Sequence, residues 1–320
     1  MPNPNISQLL STTMENQLAK VVDNIAENNI IFNKLRERGR ILKQSGGTTF
    51  RETLSYAENG TIQSQGQYDT YDTTPQDVIT SADFDQKIIT GTITMTDLEA
   101  AQNKGKEQII PLMKAKMDVL KTSFDNYFGD QSYGDGTGSG GLDLGGLALL
   151  VADDPTTGTV GGINRATSGN EFWRNQLYDF SVESVTPSAT TIQSAMNALY
   201  RRCQTQGGQL VDLITAGDTY FGYYEDSLQA NQRFNDGKLA KLGFDALKYK
   251  AADVVYDTKC TDEKMYFLNT RFLSYKYIGE QMMSVGSATR PHNQGVTVVP
   301  MTSMGNLTIT NAKVHGVMIA

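Results

Sequence analysis

Histidine and cysteine are nearly missing from this 320-residue chain, which holds His292, His315, Cys203 and Cys260 and no others. Two cysteines cannot make a disulfide framework, and their spacing matches no zinc pattern. Neither histidine is accompanied by an HExxH or GxSxG motif, so zincin and serine-hydrolase chemistry lack their supporting residues. His292 sits in a turn-like Arg290-Pro291-His292-Asn293 segment and His315 in an alternating strand, where packing or solvent roles suffice. No apolar run approaches the roughly 18 residues of a membrane-crossing helix. Met1 to Lys20 has neither the basic nor the apolar stretch of a secretory signal. The sequons at Asn5, Asn59 and Asn306 therefore read as chance. A GxxxxGK[ST] phosphate loop is absent as well. Gly136, Gly138 and Gly141 match GxGxxG by letter, but they follow a long helix rather than a strand. Asp130, Asp135 and Asp143 lack the spacing of a calcium loop. Asp153-Asp154 before Pro155 reads as a turn rather than an acid–base pair. No catalytic residue, cofactor or metal is expected, and the chain is not expected to be an enzyme.

Basic charge is also in deficit. The net charge is −7 and the pI about 5.0, which argues against a surface that grips a nucleic-acid backbone, though not against one that encloses it. Hydrophobic residues make up 39%, below the roughly 45–50% of ordinary globular chains. The deficit points to an extended shape with much surface.

What the chain does contain is strong periodicity. Ile6, Leu9, Leu10, Met14, Leu18, Val21, Val22 and Ile25 recur at helical steps, and a second short helix over Ile30–Arg38 ends at Gly39. Lys34, Arg36, Arg38, Arg40 and Lys43 follow against one acid, Glu37. They suit either an acidic or phosphate-bearing partner or a solvated helix end, and the negative C-terminal dipole favours the second. Residues 47–95 then change to a strand period. Phe50, Leu54 and Tyr56 alternate with polar residues, as do Ile89, Ile93 and Met95 with threonines, around a polar segment from Ala57 to Asp85. The pattern predicts a two-stranded finger with an elaborated tip. A ten-residue strand would carry that tip about 33 Å, and such a ribbon should be mobile in a lone monomer.

Asp97 is placed to cap the longest helix, whose stripe includes Leu98, Ala101, Ile109, Met113, Met117, Leu120, Phe124 and Phe128. Pro111, with Gly105 nearby, predicts a bend near Glu107–Pro111, and Gly129 an end. A helix over 189–206, strands at Leu210–Thr215, Ala251–Tyr256, Lys264–Leu268 and Tyr275–Ile278, and a helix at Thr219–Gln229 suggest a mixed domain from about 186 to 280. The strand-rich tail, Val296–Val299 and Leu307–Ile319, needs an earlier sheet to join; a return to the domain of the long helix is the simplest solution.

The most individual stretch runs from Gly141 to Asn175, GLDLGGLALLVADDPTTGTVGGINRATSGNEFWRN, and carries the sole tryptophan, Trp173, as a packing anchor in a core or at a subunit contact. With its GGINRAT and FWRN pieces, it resembles the segment after the spine helix in major capsid proteins of tailed bacteriophages, whose shared coat fold is named after phage Hong Kong 97. The order of arm, finger, long helix, Gly-rich connection, α/β domain and returning strands is similar to that family's.

The resemblance implies an α+β fold with an N-terminal arm (1–43), an extended β-hairpin loop (44–96), a peripheral domain with the spine helix (97–185), an axial domain (186–280) and return strands (281–320). It implies a structural subunit that builds an icosahedral virion shell of pentamers and hexamers in the bacterial cytoplasm and encloses DNA without reading its sequence. Inter-subunit contacts are expected at Phe50, Leu54, Tyr56, Lys87, Ile89 and Ile93 of the finger and at Arg165, Trp173 and Arg174. Partners are expected to be further copies, with a separate scaffolding, portal or decoration protein; no membrane is involved. The chain reaches its arm at once, so no cleaved scaffolding segment is expected. Some members of the family join a lysine to an asparagine; Lys87 lies on the finger, but no partner can be placed and no crosslink is assigned. An encapsulin-like compartment for cargo enzymes is the alternative on the same fold, and a soluble α/β hydrolase at 186–280 a remote one.

Overall fold

The computed structural model describes residues 29–102, 106–204, 210–228 and 246–320. The amphipathic stretch from Ile6 to Ile25 lies outside these residues. The described chain opens with α1 (Ile30–Glu37). Asn29 caps it by accepting hydrogen bonds from the amides of Ile31 and Phe32, at 3.1 and 3.3 Å. Gly39, at φ +64°, lets the chain turn out of the helix. It continues into β1 (Ile41–Gln44).

The finger exists, but its strands differ from the expected ones. β2 (Thr49–Ser55) pairs antiparallel with β3 (Ile79–Asp85), from Thr49 opposite Asp85 to Ser55 opposite Ile79. Seven residues carry the tip about 23 Å rather than 33 Å. The Ile89–Ile93–Met95 strand is β4 (Lys87–Thr96), and it pairs with β14 (Val296–Ile309) over ten positions. Both candidate strands needed a partner. In β3 the apolar alternation rests on Ala82 and Phe84 amid acids, a weaker pattern than that of β4, whose true partner lies about 200 residues further along the chain.

β4 feeds α2 (Asp97–Gln102). Its cap is Thr96, not Asp97. The Thr96 hydroxyl accepts from the Glu99 amide at 3.2 Å while the Glu99 carboxylate accepts from the Thr96 amide at 3.1 Å, a reciprocal capping box. Asp97 is used elsewhere, in an ion pair with Arg290. The spine is α3 (Lys106–Tyr133), 28 residues and about 42 Å long. It stays helical through Pro111 and passes Gly129 to end at Tyr133. A Cβ at Gly129 would make only ordinary contacts, 3.4 Å from the Lys259 side chain and 3.8 Å from that of Asn29.

A turn at 138–141 leads to α4 (Leu147–Leu150), then to the hairpin of β5 (Thr159–Val160) and β6 (Ile163–Asn164). The remaining elements are β7 (Gln176–Asp179), α5 (Ile192–Gln204), β8 (Leu213–Ala216), α6 (Asp218–Ser227), β9 (Ala246–Tyr249), β10 (Ala252–Tyr256), β11 (Lys264–Leu268), β12 (Leu273–Ile278), β13 (Ser284–Val285) and β15 (Gly316–Ile319).

Two larger sheets organise these elements. The spine sheet joins β1, β12, β14 and β13, with β4 on the other side of β14. The central sheet has the order β7-β15-β11-β8-β10-β9. The two sheets cross the expected boundaries at 186 and 280 in three places. β7 and β15 belong to the central sheet, and β12 belongs to the spine sheet. The tail splits: β14 returns to the spine sheet as expected, while β15 inserts between β7 and β11.

The central strands are buried on both faces, which explains why their sequences are largely hydrophobic, with Thr215 and Asp253 among the exceptions. Ile214, Ala216, Val254, Met265, Phe267 and Met318 pack with α5 and α6. Leu213, Val255, Tyr266, Leu268 and Val317 face the core shared with the spine and α1. Ile192, Ala195, Met196, Leu199 and Cys203 form the buried stripe of α5, as their spacing indicated. His315 is fully buried beside this sheet; its Nδ1 accepts from the Asn269 amide at 3.3 Å, and burial pushes its imidazole down to about 3, so it is neutral.

Candidate assembly surfaces

The finger has two regions with opposite surfaces. At its root Phe50, Leu54, Ala82 and Phe84 are buried in the core. Beyond it, residues 56–78 carry Ile62, Tyr68 and Tyr71, which are 84%, 92% and 84% exposed. Several backbone amides of the tip find local partners. Asn59 accepts from the Thr61 amide, Asp72 from the Thr74 amide, and Asp69 from the Gly66 amide, at 3.0, 2.9 and 2.6 Å. The Thr74 hydroxyl and amide hold the Asp72 carboxyl below its usual range, so the tip keeps its negative charge. Within this otherwise polar tip, Ile62, Tyr68 and Tyr71 are the large apolar side chains left in water.

The Gly141–Asn175 stretch turns out to grip the finger root. Gly161 and Gly162, at φ +57° and +76°, form the two-residue turn between β5 and β6, a conformation that suits glycine. The Gly161 carbonyl accepts from the Asp83 amide of the finger at 2.9 Å. Trp173 supports this hairpin from inside, donating its indole N–H to the Val160 carbonyl at 2.9 Å. Arg165 is a buried cation held by backbone oxygens: Nε donates to the Trp173 carbonyl at 3.0 Å and Nη2 to that of Leu150 at 2.6 Å. Burial lowers its guanidinium to about 10, still charged at neutral pH. Arg174 in turn donates to the Arg165 carbonyl at 2.9 Å. The segment is an internal staple.

This changes the standing of the expected contact residues. Phe50, Leu54, Ile93, Arg165 and Trp173 are all at most 5% exposed within their own chain. Their side chains are covered by their own chain, so within a single subunit these five are core residues. Their sequence signal, large and apolar or sole of its kind, does not distinguish core from interface. Tyr56 is half-buried, its ring 5.3 Å from that of Phe172. Lys87 is half-buried and donates to the Gly141 carbonyl at 2.6 Å. Ile89 packs partly against the core, and Arg174 is half-buried in the staple.

Other residues carry the exposed apolar surface. A groove of about 480 Å³ runs between β4, α3 and the Gly-rich loop, lined by Ile89, Leu120, Phe124 and Asp143 among others. Its rim holds Ile88, Leu142 and Tyr127, exposed by 57%, 69% and 40%. Gly91 makes the groove floor possible: a Cβ there would lie 2.7 Å from the Phe124 ring. Sequence reasoning missed this surface because Ile88 and Leu142 fall out of phase with the core stripes, and that phase was the available signal.

The basic run begins within α1: Lys34 and Arg36 sit in its last turn, as the helix-end reading expects, and several of the cations also make ion pairs. Lys34 pairs with Asp253 at 2.7 Å and Arg38 with Asp212 at 3.1 Å, while Lys43 pairs with Glu280. These cations tie the first helix and strand to the rest of the chain. Among the described residues no group of three or more His, Cys, Asp or Glu side chains could hold a metal ion, and no helix is long and apolar enough to cross a membrane. Cys203 and Cys260 are buried, and burial pushes both thiols up to about 12.

No family model and no curated protein sequence matches the chain. Solved structures do. The chain is similar to a protein of the cyanophage A-1(L) capsid asymmetric unit at 16% identity, with 88% of this chain and 90% of the other covered and a TM-score of 0.68. It is also similar to the SrpI encapsulin of Synechococcus elongatus PCC 7942, at 10% identity, 89% and 86% coverage and a TM-score of 0.52. A third likeness is to a chain of the satellite phage P4 procapsid that includes the size determination protein, at 9% identity, 100% and 92% coverage and a TM-score of 0.51. The chain has the Hong Kong 97-type coat fold.

Proposed function

We propose that this chain is a major capsid subunit of a tailed bacteriophage, assembling with its own copies into a closed shell of pentamers and hexamers around DNA. The observation that carries the reading is the finger: a ribbon whose root is sealed into its own core and whose tip holds Ile62, Tyr68 and Tyr71 in water. Fixing such a tip near a subunit's own surface would cost little. Reaching away from it gains burial only on another molecule. The groove rimmed by Ile88, Tyr127 and Leu142 is an apolar surface of suitable character on a second copy. It lies beside the finger's root, where β4 begins two residues after Asp85, while the tip stands roughly 23 Å away along the strands, which favours the tip of a second copy.

Each such contact is modest. A shell holds every subunit through several neighbours at once, so modest contacts sum to a stable particle. The net charge of −7 suits packaging, since DNA is enclosed without being trapped locally. In this reading the spine sheet with α3 is the peripheral domain and the central sheet the axial one. Scaffolding and decoration proteins are natural partners, as the P4 procapsid includes a size determination protein. No catalytic role is assigned.

The likeness to SrpI sustains an encapsulin-like compartment as the second reading. Electron microscopy and sedimentation of the purified protein, alone and with the neighbouring genes' products, test both. Shells or capsomer rings support the common reading, and a monomer under every condition contradicts it. DNA-filled particles, with terminase and portal genes alongside, mark the phage subunit; particles filled by a co-encoded enzyme mark the compartment.

A further inference from the structure

The finger forms its own two-stranded sheet, separate from both larger sheets. A ribbon of this kind is marginal in water. Its direction therefore depends on a few contacts at the root, and one of them is chemically unusual. The inward face of β2 reads Phe50, Glu52, Leu54: an acid between two buried apolar residues. The Glu52 carboxylate accepts from Lys276 Nζ of β12 at 2.8 Å and from the Thr308 hydroxyl of β14 at 2.8 Å. Lys276 also donates to the Arg51 carbonyl at 3.3 Å. The two charged side chains are 12% and 14% exposed.

An ion pair largely removed from water is a poor way to add stability, since apolar residues of similar size often do better. Its best-attested use is registry, because a charged pair tolerates one arrangement where apolar groups slide. The other contact comes from the Gly161 turn. Besides accepting the Asp83 amide, Gly161 lies so close that a Cβ would sit 2.8 Å from that of Ala82 and 3.1 Å from the Phe84 ring. One contact ties β2 to the spine sheet and the other ties β3 to the staple. Together they leave the ribbon little freedom to pivot.

We infer that Glu52, Lys276 and Gly161 are positioning residues that fix the angle between finger and subunit body, so that the direction of reach toward a neighbour is set within each chain before assembly. The consequence for particle size rests on the shell reading; the fixed angle does not.

The test uses the full chain with three changes: E52Q, which keeps size and removes the charge; the double variant E52L/K276M, which restores burial without the directional pair; and G161A. Melting temperature, amide exchange over Ile79–Asp85 in unassembled protein, and particle diameter are measured on each. The double variant should melt at or above the wild-type temperature, yet exchange at least tenfold faster over Ile79–Asp85 and give a broadened spread of diameters. A purely structural role would make exchange follow melting. Wild-type exchange in the double variant overturns the inference; accelerated exchange with unchanged diameters supports the fixed angle and overturns its consequence for particle size. If the double variant does not fold, E52Q and G161A are read by the same two quantities. If wild-type protein forms no particles, the shell reading fails while exchange still decides whether the angle is fixed.

Discussion

The central sheet and the finger are built from similar strand-forming residues and end in opposite situations. Strands β8, β10 and β11 lie between two apolar layers, with Leu213, Ile214, Val254, Val255, Met265, Phe267 and Leu268 all buried. The finger keeps that arrangement only at its root. Its outer part trades burial for reach, leaving Ile62, Tyr68 and Tyr71 exposed. One region spends its apolar residues on folding; in the proposed reading the other holds them for association. Each should therefore fail in its own way when altered.

The largest effect should come from Trp173→Ala. Trp173 is 1% exposed and supports the hairpin that grips the finger, so truncation should cost about 3–5 kcal/mol in denaturant unfolding of the unassembled subunit. An inter-subunit tryptophan would leave that stability unchanged, and such a result would erase the contrast between staple and tip.

Acid should act on the sealed region next. Burial holds the His315 imidazole at about 3, below its unfolded value of 6.5, so the unfolded chain binds the proton first. The contribution of neutral His315 is fully present above pH 6.5 and is lost as pH falls from there toward about 3, at about 1.4 kcal/mol per pH unit. Unfolding free energies of wild type and His315→Gln, compared at pH 7, 5.5 and 4.5, should converge as pH falls. Parallel curves would mean that this histidine is not buried neutral.

The smallest change in stability should follow alteration of the tip. The triple variant I62S/Y68S/Y71S should unfold within about 0.5 kcal/mol of wild type, because these side chains touch little of their own subunit. The same variant should lose assembly in sedimentation. The groove variant I88S/L142S should behave alike. A destabilised subunit that still assembles would invert the proposed division of labour.

Much of the fold was legible where a pattern was local. The stripe of α5, strand β11 at Lys264–Leu268, and the end of α1 at Gly39 follow from periodicity and one glycine. The cap of α2 was legible too, since Thr96 and Glu99 have capping-box spacing, but adjacent Asp97 is also a good cap residue and competed for the assignment. What stayed hidden was non-local. That β4 pairs with β14 instead of closing the finger, and that β15 crosses to the central sheet, depends on which distant strand completes each sheet. The burial of the expected contact residues was hidden for a related reason. Hydrophobicity marks a side chain that avoids water, and only the fold shows whether its own chain or another covers it. Glu52 left a trace, an acid in the apolar phase of β2, whereas nothing in the sequence announced its partner Lys276.

The most direct measurement is a cryo-electron-microscopy reconstruction of assembled particles that locates residues 56–78. The account predicts that each tip lies against the body of a neighbouring subunit, with Ile62, Tyr68 and Tyr71 covered by it. Tips folded back over their own subunits, or standing free in a closed shell, would contradict it.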